Sequence, residues 1–241
     1  MIAWLDPVSP FPAVETALDF PNGLLAASES LSADRLIEAY RLGIFPWYSD
    51  GDPVLWWSPN PRMVLPTERF HVSRSLRKRL RAVAQDPGIE VCLDRDFAGV
   101  MRACAAPRDG QDGTWIGPEI VSAYCGMAQQ DLAHSIEVRQ GGQLIGGVYG
   151  VSLGRMCYGE SMFSAVRDGS KIALAALVAI LSQERVPVID CQQRTAHLAS
   201  LGAIEITRKE FCNHLAISVH APAVDWHAYR NARLNRFLEK Y

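Results

Sequence analysis

The chain of 241 residues has no apolar run of the ~18–20 residues that a membrane-spanning helix needs. Its longest such run, residues 172–181, is about half that length and rich in Ala, so it is expected to be a buried helix. The six cysteines (Cys92, Cys104, Cys125, Cys157, Cys191 and Cys212) include no C-x-x-C pair. Scattered cysteines argue against a zinc site or a disulfide framework and fit reduced thiols that fill apolar space. The opening Met1-Ile2-Ala3-Trp4-Leu5-Asp6 lacks a basic n-region, so no secretory signal and no membrane partner are expected, and the cytoplasm is the expected compartment. Internal repeats and low-complexity segments are absent. Net charge is only −2, so nothing global announces a polyanionic partner.

Hydrophobic residues make up 49% of the chain, enough for one large domain or two small ones. Charge is unevenly spread: residues 62–81 hold seven Arg or Lys and one acid, Glu68. Within that stretch a helix is expected over 74–85, capped by Ser73, with Leu76, Leu80 and Val83 facing inward. Arg74, Arg77, Lys78 and Arg81 recur at i, i+3, i+4 and i+7 on the opposite face. Like charges at this spacing repel by a few tenths of a kcal/mol unless a polyanion offsets them, so phosphate binding stands somewhat ahead of a merely solvated face.

Upstream, one helix is expected over 33–42, with Ser32 as cap, Leu36, Ile37 and Tyr40 inward, and Gly43 as its end. Residues 45–61 carry so many Pro, Gly and Trp that irregular structure is expected. Downstream, strands and helices alternate: a strand at 89–93, helical spacing at 97–104, a polar loop at 107–113, and a helix opened by Pro118. Strands follow at 134–139, 144–151 and 156–158, the first two joined at Gly141-Gly142. Next come a helix at 171–183, a short apolar strand at 186–189, and two helices, the second with a capping box at Thr207 and Glu210. This order indicates an α+β or α/β chain with a central, largely antiparallel sheet.

Several polar and aromatic groups are candidates for a site. Asp190 and Gln192 follow the short strand; on extended chain they share a face, where an acid beside an amide can position a nucleophile. Equally, Asp190 could cap the next helix and Gln192 lie on the surface. Cys191 then points the other way, and a Cys191–His197 pair lacks an evident third group to orient it. Trp47 and Trp115 lie in loops, where an exposed ring can stack on a nucleobase for ~1–3 kcal/mol; ordinary burial is preferred for Trp56 and Trp57. Glu160, after a strand and among apolar residues, needs a partner, either a substrate ammonium or a protein group.

These blocks, taken in order, resemble one family. They are Phe20-Pro21-Asn22-Gly23-Leu24-Leu25, Ala39-Tyr40-Arg41-Leu42-Gly43-Ile44-Phe45-Pro46-Trp47, Leu55-Trp56-Trp57-Ser58-Pro59, Pro61-Arg62 and Ser73-Arg74-Ser75. They continue with Gly113-Thr114-Trp115-Ile116, Ala133-His134-Ser135-Ile136-Glu137-Val138, Gly159-Glu160-Ser161-Met162-Phe163-Ser164, Ser170-Lys171, Asp190-Cys191-Gln192 and Ser200-Leu201-Gly202-Ala203. The chain is similar over residues 20–203 to the leucyl/phenylalanyl-tRNA–protein transferases; the tail after Pro222 shows no match. The resemblance implies a small N-terminal domain (1–61) and a catalytic domain of acetyltransferase-like (GNAT-like) fold with a central mixed sheet (62–241). It implies that Leu or Phe, with Met a further candidate, passes from its tRNA to the N-terminal Arg or Lys of a protein, marking that protein for N-end rule degradation.

The same resemblance implies roles. Trp47 and Trp115 would stack on adenosine, Val148, Leu177 and Leu181 would line the amino-acid pocket, and Glu160 would be a pocket carboxylate. Asp190 and Gln192 would form the catalytic pair, and the helix of Arg74, Arg77, Lys78 and Arg81 would contact tRNA. Chemically, an aminoacyl-tRNA is an activated ester, and a protein α-amine with a pKa of ~7.7–8.0 is partly neutral in the cell, so orientation and proton removal are what remain. An amide oxygen is a very weak base; Gln192 is therefore expected to accept a hydrogen bond from the amine while Asp190 polarises it or relays the proton. No cofactor or metal is expected, and a monomer is. Three rivals stay open: an acyl-CoA acetyltransferase, against which stands the lack of an R/Q-x-x-G-x-G/A loop; a Cys191–His197 hydrolase; and a non-catalytic tRNA-binding module.

Overall fold

The computed structural model describes residues 2–49, 51–107 and 114–241. Most of the expected 107–113 loop, and Gly113 of the Gly113-Thr114-Trp115-Ile116 block, lie outside the described residues.

A first sheet of four strands is built from β1 (Ala3–Leu5), β2 (Leu24–Ser28), β3 (Phe45–Pro46) and β4 (Val54–Trp57), in the order β1-β2-β4-β3. Between β2 and β3 runs α1 (Ala33–Arg41), whose first turn is capped by the Ser32 side chain. It ends where Gly43 adopts φ +77°, a conformation that favours a residue without Cβ. Residues 45–61 are therefore more regular than their Pro and Trp content indicates. Leu55, Trp56 and Trp57 are held extended by pairing with β2, a partner about thirty positions away, and that long-range ladder outweighs local turn preference. Trp56 and Trp57 are buried, as expected.

The second sheet has seven strands. After β5 (Arg62–Pro66) come α2 (Arg74–Gln85), β6 (Ile89–Leu93), α3 (Phe97–Ala105) and α4 (Pro118–Gln129). Then follow the meander β7 (Ala133–Gln140), β8 (Gln143–Leu153) and β9 (Met156–Ser164), and α5 (Gly169–Gln183). The rest is β10 (Val188–Asp190), α6 (Ala196–Ser200), β11 (Ile204–Ile206), α7 (Arg208–Ser218) and α8 (His227–Arg230). The order is β11-β5-β10-β9-β8-β7-β6, antiparallel except for the parallel pair β10/β9. The protein is thus α+β, with a separate N-terminal sheet and a central mixed, largely antiparallel one. Gly141 and Gly142, both at positive φ, make the β7/β8 turn. The third meander strand runs to Ser164 instead of stopping at Tyr158, because an irregularity at Tyr149/Gly150 lets β9 resume pairing with β8.

The two faces of this sheet carry different cores. On one, Leu36 and Tyr40 of α1, Val100 of α3, Tyr124 of α4 and Phe211 of α7 join the N-terminal sheet in one continuous cluster. On the other lie Leu76, Leu80 and Val83 of α2 and the apolar middle of α5, residues 172–181. β8 and α5 approach so closely that a Cβ on Gly146 would sit 2.5 Å from the Gly169 backbone. The tail after Pro222 packs on this second face: Leu234 and Leu238 are fully buried, and Asn235 bonds Val83 O, Ile89 O and Val91 N.

Candidate active site

β10 is short because its parallel neighbour β9 and antiparallel neighbour β5 pair with only two or three of its residues. Where it ends, a cavity of about 700 Å³ opens. Phe45, Pro46 and Trp47 wall it from the N-terminal sheet, with Trp115 also at its edge. Apolar side chains from several elements (Leu65, Val148, Met162, Leu174, Leu177 and Ile189) line it, and its polar groups include Glu160, Gln192, Gln193, Thr195 and His197. Apolar walls with a few converging polar groups are the usual composition of a small-molecule site.

Behind the cavity lies a buried ion pair. Arg62 Nε donates to Asp190 Oδ1 at 2.8 Å and Nη2 to Oδ2 at 2.6 Å, both side chains almost wholly out of solvent. Arg62 Nη1 donates to the Gly43 carbonyl at 3.1 Å, and the guanidinium lies over Phe45 and Phe211. Burial alone would lower the Arg62 pKa; the carboxylate beside it outweighs that and the net shift is upward. Asp190 Oδ1 also accepts the backbone N–H of Gln192 at 3.0 Å, while the Gln192 carbonyl accepts from Met63 N. Gln192 is thereby held at φ +57°, a conformation uncommon for a side chain of its size.

Forward of the pair, Gln192 Nε2 donates to Glu160 Oε1 at 3.1 Å, which leaves the amide oxygen of Gln192 for another partner. Tyr124 Oη donates to Glu160 Oε2 at 3.0 Å, and the hydroxyls of Tyr124 and Tyr40 share a 2.5 Å hydrogen bond. Tyr40 is fixed in turn by Tyr158, whose hydroxyl donates to the Tyr40 carbonyl at 2.7 Å. Burial pushes the Glu160 carboxyl up to about 7, against the Tyr40 and Tyr124 hydroxyls, which favour its charged form.

The residues singled out from sequence fall into distinct places. Trp47, Trp115, Val148, Glu160, Leu177 and Gln192 line the one cavity. Glu160 lies within β9, not after a strand. Leu181 is fully buried in the core and is not among the cavity's walls: it shares the helix face of Leu174 and Leu177 but lies one turn further along α5. Asp190 and Gln192 do not share a face: the strand stops at Asp190 and the left-handed Gln192 breaks the alternation, so Cys191 and Gln192 reach the cavity and Asp190 does not. Arg62, counted in the basic stretch, is fully buried and is not part of its surface. Arg74, Arg77, Lys78 and Arg81 are exposed on α2 and form no ion pair among the described residues. The segment leading into α2 meets the end of α6, where His71 N donates to Leu201 O.

Sequence reasoning missed the roles of Arg62, Tyr40 and Tyr124. Arg62 had a signal: a cation opening the apolar run Met63-Val64-Leu65 needs a buried anion. The tyrosines had none, since helical spacing explains both as core. Cys191, raised by burial, donates to Ile189 O and has no hydrogen bond to His197 among the described residues.

An α+β chain with an aromatic-walled cavity, a converging carboxylate and amide, and an exposed row of cations on α2 without ion pairs among the described residues has the features of a group transferase acting on a nucleic-acid-linked substrate. Residues 64–216 match the family described as leucyl/phenylalanyl-tRNA protein transferase, and residues 29–60 match the N-terminal domain of the same family. The chain is 57% identical over 230 residues to the leucyl/phenylalanyl-tRNA–protein transferase of Burkholderia cenocepacia (strain HI2424), covering 94% of this chain and 91% of that one. To the enzyme of the same name from Paraburkholderia phytofirmans (strain DSM 17436 / LMG 22146 / PsJN) it is 56% identical over 238 residues, covering 97% of each. It belongs to the leucyl/phenylalanyl-tRNA–protein transferase family. Among solved structures it is similar to a GCN5-related N-acetyltransferase-like protein of Streptococcus suis, with 14% identity and a TM-score of 0.33 over 76% of this chain and 67% of that one.

Proposed function

We propose that the chain transfers Leu or Phe, with Met a further candidate, from aminoacyl-tRNA to the N-terminal Arg or Lys of proteins, committing them to N-end rule degradation. The observation that carries this reading is the convergence of Trp47, Trp115, Glu160 and Gln192 on one cavity with an apolar wall. The terminal adenosine stacks between the tryptophans, and the amino-acid side chain occupies the wall of Val148, Met162 and Leu177. Such a wall separates similar apolar groups by only ~1–3 kcal/mol, which accounts for more than one accepted amino acid. The free amide oxygen of Gln192 accepts a hydrogen bond from the attacking amine. Asp190, sealed behind, acts through the Gln192 backbone and is a positioning residue. The unpaired cations of α2 take the phosphates of the acceptor stem.

In this reading residues 1–61 are a small N-terminal domain that brings Trp47 to the site, and residues 62–241 are the acetyltransferase-like catalytic domain. The protein works as a monomer in the cytoplasm; among the described residues no helix is long and apolar enough to cross a membrane. The test is transfer of labelled Leu from Leu-tRNA to a protein beginning with Arg, beside a matched protein beginning with Ala and an Asp190→Ala variant. Transfer to the Arg start alone, lost in the variant, is expected. Equal labelling of both proteins, or undiminished transfer by the variant, counts against the reading.

A further inference from the structure

Aminolysis of the ester needs one proton moved twice. As the amine nitrogen bonds to the ester carbonyl carbon it must lose a proton, and as the carbon–oxygen bond to the ribose breaks, that oxygen must gain one. The net proton count is zero, so a single group that accepts and then returns the proton satisfies the whole reaction. Resting on the transfer reading above, we propose that Glu160 is that group. Its carboxylate takes the proton from the attacking amine and, as the carboxylic acid, delivers it to the departing ribose oxygen.

The geometry favours Glu160 over each neighbour. Asp190 has both oxygens engaged by Arg62 and does not reach the cavity. The Gln192 amide is too weak a base. The Cys191 thiol donates to Ile189 O, and burial disfavours its thiolate. His197 also lines the cavity, but it is exposed on α6 and its ring has no hydrogen bond to Gln192 among the described residues. Glu160 alone combines a place on the cavity wall with a direct hydrogen bond from Gln192, the residue that meets the amine. Its second oxygen receives Tyr124, with Tyr40 behind, so the carboxylate is fixed at both ends.

The groups that face it are consistent with a proton carrier active near neutrality. Tyr40 of α1 and Tyr124 of α4 favour its charged form, as does Arg62 of β5, while Asp190 of β10 opposes it. Tyr149 of β8 and Tyr158 and Cys157 of β9 are also near, and burial raises all three, so they stay neutral. Burial of Glu160 itself dominates, placing it at about 7. A group poised near the working pH serves as base and as acid.

The experiment is the pH dependence of kcat/KM for transfer to one Arg-start acceptor, in the wild type and in Glu160→Gln, Glu160→Asp, Tyr124→Phe and His197→Asn. Below pH 7 the wild type must deprotonate two groups, the acceptor amine and Glu160, so the logarithm of the rate should rise with a slope of two. Glu160→Gln should show a slope of one, and kcat at pH 8 lower by about 10²–10⁴-fold, the usual worth of acid–base catalysis. Glu160→Asp, which keeps a carboxylate, should regain the slope of two at reduced rate. Tyr124→Phe should keep that slope with its inflection moved upward, because a hydrogen bond to the charged form is gone. A merely structural role would lower rates without changing slopes. A slope of two retained in Glu160→Gln, or lost in His197→Asn instead, overturns the proposal. No transfer by the wild type at any pH overturns the transfer reading and this one with it, and that outcome is read from the wild-type arm alone.

Discussion

Arg62 and Asp190, 128 positions apart, meet through two parallel hydrogen bonds of 2.8 and 2.6 Å with no solvent between them. The fork of the guanidinium matches the two carboxylate oxygens, a geometry that Lys cannot supply. Removing one partner of such a pair leaves an uncompensated buried charge. Arg62→Ala is expected to lower stability by about 3–5 kcal/mol in urea denaturation. Arg62→Lys should lose transfer activity while folding better than Arg62→Ala, because one charge remains but the fork does not. Equal activity of Arg62→Lys and wild type would contradict the positioning role of the pair.

Glu160 also links stability to pH. Its folded pKa, about 7, lies above the ordinary 4.5, so the folded protein holds this proton more tightly than the unfolded chain. The contribution is complete below pH 4.5 and is lost as pH rises through 7. Glu160→Gln removes that dependence. Relative to wild type, the variant should gain about 1–3 kcal/mol between pH 4.5 and pH 8, measured by urea melts at both values. A stability difference that does not vary with pH would show that Glu160 is not perturbed.

Arg77 and Arg81 on α2 have no acidic partner among the described residues and are exposed. Charge reversal of both should raise KM for aminoacyl-tRNA severalfold and reduce the salt slope of tRNA binding by about two. With a short aminoacyl-nucleoside donor the same variant should work as well as wild type. Loss with both donors would place the damage in the cavity, not on the helix.

Asn235 ties the tail to α2 and β6 through three buried hydrogen bonds, each 2.9 Å. Asn235→Ala leaves Val91 N–H without its acceptor and should lower stability by roughly 2–3 kcal/mol. Activity per folded molecule should be unchanged, since the tail does not line the cavity. A variant as stable as wild type in a thermal melt would mean that the tail is not a structural strap.

Much of the architecture was legible because it is local. Ser32 and Ser73 cap their helices within three residues, Gly141-Gly142 turns its hairpin, and the Leu76-Leu80-Val83 stripe puts the cations of α2 outside. Residue types that suit stacking, apolar binding and acid–amide chemistry could be picked out for the same reason, as could the family from their order. What stayed illegible depends on partners far along the chain. β4 is a strand because β2 and β3 pair with it, and β9 continues through Glu160 because β8 accommodates an irregularity.

The sequence by itself determined the helix ends, the turns, the buried α5 and the family, since each follows from residues that are neighbours or from motifs in order. Only the tertiary structure decided that Asp190 is sealed by Arg62, that Gln192 takes a left-handed turn into the cavity, and that Tyr40 and Tyr124 grip Glu160. Those contacts join strands and helices from separate parts of the chain. Whether a polar side chain is a base, a prop or a surface group depends on its burial and its partners, and both are set when the two sheets close on one core.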